Sequence, residues 1–184
     1  MVLYINCCPR KESRTARLAE AVLEKLGEYE EVRLYERKPE PVDAEKLEIR
    51  MKLLEEGDLQ HPAFADARRF AAADIIVIAA PFWDLSFPAM LKNYIENIYI
   101  TGIVSRYGED GRPAGLCRAK KLYYVTTAGG PLDPRFGYGY VSELAKGYFG
   151  IPETELIFAE MLDIETNDPE EILQEAIGKI AAVR

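Results

Sequence analysis

Three short stretches of this sequence collect residue types that together can hold a charged, ring-bearing small molecule. The first, "CCPRKESRTARLAE", runs from Cys7 to Glu20. It places two hydroxyls, Ser13 and Thr15, at the start of a helical pattern, with Arg10, Lys11 and Arg14 beside them. A helix N-terminus offers unpaired N–H groups and a partial positive charge, so hydroxyls and cations there make a phosphate site. The plainer alternative has Ser13 only capping the helix and the arginines solvated. The stretch lacks the glycines of a P-loop or a dinucleotide fingerprint, which argues against a nucleoside triphosphate. The second stretch, "PFWDL", covers Pro81, Phe82, Trp83, Asp84 and Leu85 and holds the chain's only tryptophan. An aromatic pair at a strand end can flank a planar ring; alternatively Trp83 covers the sheet end and Asp84 begins the next helix. The third, "TTAGGPLDPRFGYGY" from Thr126 to Tyr140, includes Thr127, Ala128, Gly129 and Gly130. Glycines allow close backbone approach, and their N–H groups can donate to a ring heteroatom, or they form a plain turn before a helix.

These stretches need a scaffold, and the hydrophobic periodicity supplies one. "MVLYINC" is a buried-strand pattern, followed by a helix whose face is Leu18, Ala19, Val22, Leu23 and Leu26, stopped by Gly27. "EEVRLYE" alternates at Val32 and Leu34, as an edge strand with one exposed side would. Between Pro39 and Ala73 lie two helical pieces, one capped by Asp43 and ended near Gly57, the other after Pro62. Ile75 to Ala80 is a third strand of the unbroken apolar kind, and its helix shows Met90, Leu91, Tyr94, Ile95 and Ile98 on one face. "KLYYVTT" is a fourth strand with a helix ended by Gly150, and "TELIFAE" a fifth. Asp168, Pro169 and Glu171 open the last helix. From Ile103 to Leu116 the chain instead makes a hairpin excursion centred on Asp110–Gly111. Five strands each followed by helix imply right-handed crossovers and a parallel sheet covered on both sides. Such sheets bind ligands beyond the carboxyl ends of the strands, where the strand order reverses. The three odd stretches leave strands one, three and four. Read together they describe a ligand with a phosphate at one end and an apolar planar ring at the other, and FMN fits.

Composition narrows the alternatives. The 184 residues are expected to form a single domain, residues 1–184, with a core needing no disulfide or metal. A net charge of −8 argues against a nucleic-acid partner. Three cysteines, with Cys7 and Cys8 adjacent, give neither a disulfide framework nor a zinc or iron–sulfur spacing. Small buried thiols at a strand end are ordinary core filling. The absence of a signal-peptide pattern and of a bilayer-length apolar run leads to an expectation of a cytoplasmic protein with no membrane insertion.

The stretch "APFWDLSFPAMLKNYIENIYITGIVSRYGEDGRPAGLCRAKKLYYVTTAGG", with "SRTARLAE" upstream, resembles the azoreductase and quinone-reductase family of flavodoxin-like flavoproteins. Order and spacing agree from about Met1 to Gly130; beyond that only the pattern of elements matches. The resemblance implies a flavodoxin-like three-layer sandwich with a five-stranded parallel sheet of order 2-1-3-4-5. It implies FMN, with the phosphate on Cys8, Arg10, Ser13, Arg14 and Thr15. The isoalloxazine would lie between Pro81 to Leu85 and Thr127 to Gly130. The family uses NADH or NADPH as co-substrate and passes hydride by a ping-pong mechanism through flavin N5 to a quinone or azo compound, with no catalytic side chain. Trp83, Tyr107 and Phe136 would bind the substrates, and a homodimer would place both sites at its interface. "YIENIYITGIV" supports the dimer, since Tyr99, Ile100, Ile103 and Val104 exceed what one helix face can bury. Ala128 stands where certain azoreductases carry arginine. The only histidine, His61, falls between two helices far from these loops and is expected to be a surface or capping residue.

A flavodoxin-type electron carrier is the competing reading, but "KESRTA" does not match the T-x-T-G-x-T loop of such carriers. A receiver-type signalling domain needs carboxylates after strand one, where this chain has "NCCPR".

Overall fold

The computed structural model describes residues 1–180. Strand β1 (Val2–Asn6) leads into helix α1 (Arg14–Leu26), then β2 (Tyr29–Arg33) and a single helical turn α2 (Leu34–Arg37). Helices α3 (Ala44–Glu55) and α4 (Ala65–Ala72) precede β3 (Ile75–Ala79) and α5 (Ala89–Ile98). A two-stranded hairpin, β4 (Ser105–Tyr107) and β5 (Pro113–Gly115), interrupts the alternation before β6 (Lys121–Thr127). Then come α6 (Tyr138–Leu144), a π-helical turn (Ala145–Phe149), β7 (Glu153–Ala159) and α7 (Pro169–Lys179).

The main sheet runs β2-β1-β3-β6-β7 with every neighbouring pair parallel. With the antiparallel hairpin set aside, that is the 2-1-3-4-5 order of a flavodoxin-like sandwich. The switch point lies between β1 and β3, because the chain moves outward to β2 from one and to β6 and β7 from the other. Period-two alternation sorts the strand side chains onto two faces. Ile5, Ile76, Ile78, Leu122 and Tyr124 pack with α5 through Leu91, Tyr94, Ile95 and Ile98. Tyr4, Val77, Tyr123 and Val125 pack with α1 and α7 through Leu18, Val22 and Leu173. Each such fully buried aliphatic side chain contributes about 1.5–3 kcal/mol over exposure.

Three local features refine the sequence reading. Leu34, expected within the second strand, instead opens α2 and is fully buried. The register explains this: β1 ends at Asn6, paired with Arg33, so Leu34 has no strand to meet. His61 caps a 3-10 turn (Pro62–Phe64), its Nδ1 accepting from the Ala63 amide at 3.2 Å. The helix after β6 finishes in the π-turn and stops at Gly150, which takes the left-handed conformation at φ 77°.

Cys7 is wholly buried and Cys8 half-buried, and both are free thiols. Burial pushes the Cys7 thiol up to about 12 and the Cys8 thiol up to about 11, from an ordinary 9.0. A folded-state value above the unfolded one means stability is complete below pH 9 and declines as pH rises through 11 and 12. The native chain is therefore expected to resist a thiol reagent at pH 8 and to react fast once unfolded. Rapid modification of either cysteine in the native state would contradict their place in the core.

Candidate functional site

The carboxyl ends of β1, β3 and β6 are stitched to one another before their loops diverge. The Cys7 amide donates to the Ala79 carbonyl at 2.8 Å, Ala80 to Val125 at 3.0 Å, and Phe82 to Thr127 at 3.0 Å. Beneath these bonds the Thr15 and Thr127 hydroxyls share a buried hydrogen bond of 2.6 Å, fixing the start of α1 to the end of β6. Loops one, two and three thus rise from a common, rigid floor.

Loop one carries the charge. Ser13 is the N-cap of α1, its Oγ accepting from the Ala16 amide at 3.2 Å. The amides of Arg10 to Thr15 donate to no acceptor among the described residues. Six consecutive free donors at the N-terminus of a 13-residue helix are the kind of arrangement that can bind an anion. Ser13 caps α1, as the plainer sequence alternative had it, and Thr15 ties α1 to β6; both residues also line the cleft.

Loop two is a tight reversal. Trp83 and Ser86 exchange both backbone hydrogen bonds, at 2.9 and 2.8 Å, so Asp84 and Leu85 are the central pair of a two-residue turn. Both adopt left-handed backbone, φ 50° and 60°. Such a turn ordinarily takes Asn-Gly, and a non-glycine residue there costs about 1–2 kcal/mol. Asp84 therefore does not begin the helix; α5 starts at Ala89, after Pro88. The turn holds Trp83 in the cleft wall with 42% of its surface exposed.

Loop three is backed by a fourth loop that the sequence reading missed. After β7, the amides of Met161, Leu162 and Asp163 donate to the carbonyls of Gly130, Ala128 and Gly129 at 3.1, 3.2 and 2.9 Å. The Glu160 carboxylate accepts from the Leu132 amide at 2.6 Å. A methyl group on Gly129 would stand 2.3 Å from Asp163 Oδ2, so a side chain there would have to displace that carboxylate. Gly130 is different. A methyl there would meet nothing within 4 Å, and its backbone is not left-handed. The amides of both glycines donate to no acceptor among the described residues.

Between the loops lies a cleft of about 470 Å³, within the size range of small-molecule sites. Arg10, Ser13, Arg14, Thr15, Pro81, Phe82, Trp83, Thr127, Ala128 and Gly129 line it, all candidates from the sequence. Pro9, Glu12, Arg17, Leu162 and Asp163 line it as well and were not anticipated. The signal for the last two was the strand order: β7 neighbours β6, so its loop had to adjoin the third. Cys8 sits below the rim, its amide donating to Asn6 Oδ1 at 2.9 Å. Asp84, Leu85 and Gly130 stand just outside the lining. Tyr107, on β4, and Phe136 are also outside it, with 63% and 42% of their surface exposed. Phe136 adjoins Gly137, where a methyl would come within 3.9 Å of the Phe82 ring.

Two of the four cations around loop one, Arg14 and Arg17, are matched by carboxylates. Arg14 donates to Asp163 Oδ1 at 2.8 Å, and Arg17 binds both oxygens of Glu170 at 2.6 and 2.8 Å. Those bonds hold the Glu170 carboxyl down at about 2. Arg10 has no carboxylate partner among the described residues.

A chain with this sheet order and this cleft can be placed. A family model described as having a flavodoxin-like fold matches residues 1–183. The chain belongs to that flavodoxin-like family. It is 36% identical to the FMN-dependent NADH:quinone oxidoreductase 2 of Clostridium acetobutylicum, over 97% of this chain and 94% of that one. It is 34% identical to the FMN-dependent NADH:quinone oxidoreductase of Coprothermobacter proteolyticus, over 96% and 94%. Among solved structures, the azoreductase from Bacillus anthracis superposes with a TM-score of 0.82 at 25% identity, covering 99% of this chain and 97% of that one. Membership of the family accounts for the switch-point cleft, and the resemblance of the central loops extends over nearly the whole described chain. No helix among the described residues is long and apolar enough to cross a membrane.

Proposed function

We propose that this chain binds FMN in the switch-point cleft and uses NADH or NADPH to reduce quinones or azo compounds. One observation carries the reading: a single cleft is lined at one end by Arg10, Glu12, Ser13, Arg14 and Thr15, whose amides are free, and at the other by Phe82, Trp83 and Gly129. That is the shape of a phosphate joined to a flat ring. The names of the curated relatives and the azoreductase neighbour support it. Those relatives are named as oxidoreductases, so the electron-carrier reading is not pursued.

A bound flavin would supply the redox chemistry, a ring able to take up hydride from the nicotinamide and give it to the acceptor. The chain's own residues bind and orient. The amides of Arg10 to Thr15 hold the phosphate, aided by Arg10. Phe82 and Trp83 form one wall of the ring site. The amides of Gly129 and Gly130 donate to the ring edge on which negative charge builds when it is reduced. No side-chain base is needed, and His61, capping a distant turn, has no part. Ile100 and Val104, counted above as more than one helix face can bury, are buried in this chain's own core, and Tyr99 and Ile103 pack against it, so that stretch gives no argument for a dimer. The homodimer rests on the family resemblance, with the exposed Tyr107 as the residue a second copy would bring to the ring site. Light scattering should give twice the 20.8 kDa chain mass at micromolar concentration. Alternating use of one slot by nicotinamide and acceptor requires parallel lines in double-reciprocal plots at several fixed NADH concentrations. Intersecting lines would contradict the shared slot.

A further inference from the structure

The acidic side chain in the wall of this cleft has no part in the reaction described above. Asp163 lies on the loop after β7, with its Oδ1 accepting from Arg14 at 2.8 Å and its Oδ2 over Gly129. Its backbone is pinned independently of that ion pair, through Asp163 N to Gly129 O at 2.9 Å and the two bonds before it. Asn167 adds a further tie, its side-chain amide donating to the Met161 carbonyl at 3.0 Å. The Asp163 backbone therefore stays at the cleft whether or not Arg14 meets the carboxylate. The side chains of the pair are 41% and 72% exposed, and ion pairs so exposed add little to stability. Stability does not account for a carboxylate at the edge of an anion site.

We infer that Asp163 sets the electrostatic selectivity of the cleft: by matching Arg14 it limits how much a ligand's phosphate group adds to binding. The other charges around loop one fit this balance. Arg17 is matched by Glu170, Glu12 lines the cleft, and Arg10 and Lys11 are the cations left over. Phosphate recognition then rests on short-range amide donors, while the net field of the site stays small. The inference depends on the reading that places a flavin phosphate at Arg10 to Thr15. A phosphate carries up to two negative charges, and a carboxylate across the same water-filled cleft disfavours it about three- to tenfold at low salt, less when screened.

The test compares FMN with riboflavin, which lacks the phosphate, by flavin fluorescence titration of the flavin-stripped full chain at low and high salt. Asp163→Asn keeps the size of the side chain and one acceptor oxygen for Arg14, and removes its charge. It is expected to tighten FMN about three- to tenfold at low salt, less at high salt, with riboflavin unchanged. Arg14→Gln is expected to do the opposite, weakening FMN and sparing riboflavin. If Asp163→Asn shifts both flavins alike, Asp163 is a wall residue only and the inference fails. It fails also if the wild type prefers FMN and the variant leaves that preference untouched. A wild type that binds neither flavin would overturn the cofactor reading itself, and this inference with it.

Discussion

Gly115→Ala is expected to be the most damaging single methyl group that can be added to this protein. The β4–β5 hairpin lies directly on the end of the π-turn: a methyl at Gly115 would stand 2.0 Å from the Gly150 nitrogen and 2.1 Å from the Phe149 carbonyl carbon. Both are backbone atoms, so no side chain can swing aside. Gly150 cannot easily retreat, because it holds the left-handed stop of the preceding helix. The hairpin is further fixed by Leu116 N to Val104 O at 2.9 Å and Cys117 N to Phe149 O at 3.1 Å. Overpacking a site of this kind costs about 3 kcal/mol or more. For a chain of this length that corresponds to a fall in Tm of roughly 6–12 °C. The hairpin also carries Tyr107, so the variant is expected to lose dimer and acceptor turnover together. An unchanged Tm would mean that the hairpin does not rest on Gly150.

Gly130→Val should show the reverse pattern, a binding defect without a folding defect. No atom lies within 4 Å of the added Cβ position and the backbone there is ordinary. The stability of the flavin-free protein is expected to change by no more than about 0.5 kcal/mol. A ring stacked against loop three would meet the new side chain, and FMN affinity is expected to fall at least about tenfold, or ~1.4 kcal/mol. Thermal unfolding of the flavin-free protein and fluorescence titration with FMN read the two effects separately. Gly129 would not serve in its place, since a methyl there displaces the Asp163 carboxylate and confounds wall with ligand. Undiminished FMN affinity in Gly130→Val would move the ring away from loop three.

Much of this architecture is legible in the sequence because it depends on short-range periodicity. Ile75 to Ala79 reads as a doubly covered strand because every residue in it is apolar, and β3 has neighbours on both sides. Asp168 and Pro169 read as a helix start because cap and first-turn chemistry are local; Asp168 Oδ1 accepts from the amides of Glu170 and Glu171 at 2.8 and 3.3 Å. The cleft-lining residues of loops one to three follow from the strand order together with side-chain type. What escaped depends on partners distant in sequence. The bond from Thr15 to Thr127 has no local signal, because the two lie 112 residues apart. Leu34 looked like strand because the length of β1 sets where pairing stops. Asp84 looked like a cap because left-handed backbone at a non-glycine residue is imposed by the bonds between Trp83 and Ser86. Asp163 carries no local signature at all; only the pairing of loop four with loop three brings it to the cleft.

The central claim is that the switch-point cleft holds a flavin which this chain reduces with a nicotinamide. The most direct measurement is an anaerobic visible spectrum of the FMN-reconstituted protein, before and after NADH or NADPH, then after a quinone. The account predicts a bound yellow flavin whose band bleaches with at least one of the two nicotinamides and returns when the quinone is added. A chain that retains no FMN, or holds FMN that neither nicotinamide bleaches, would contradict it.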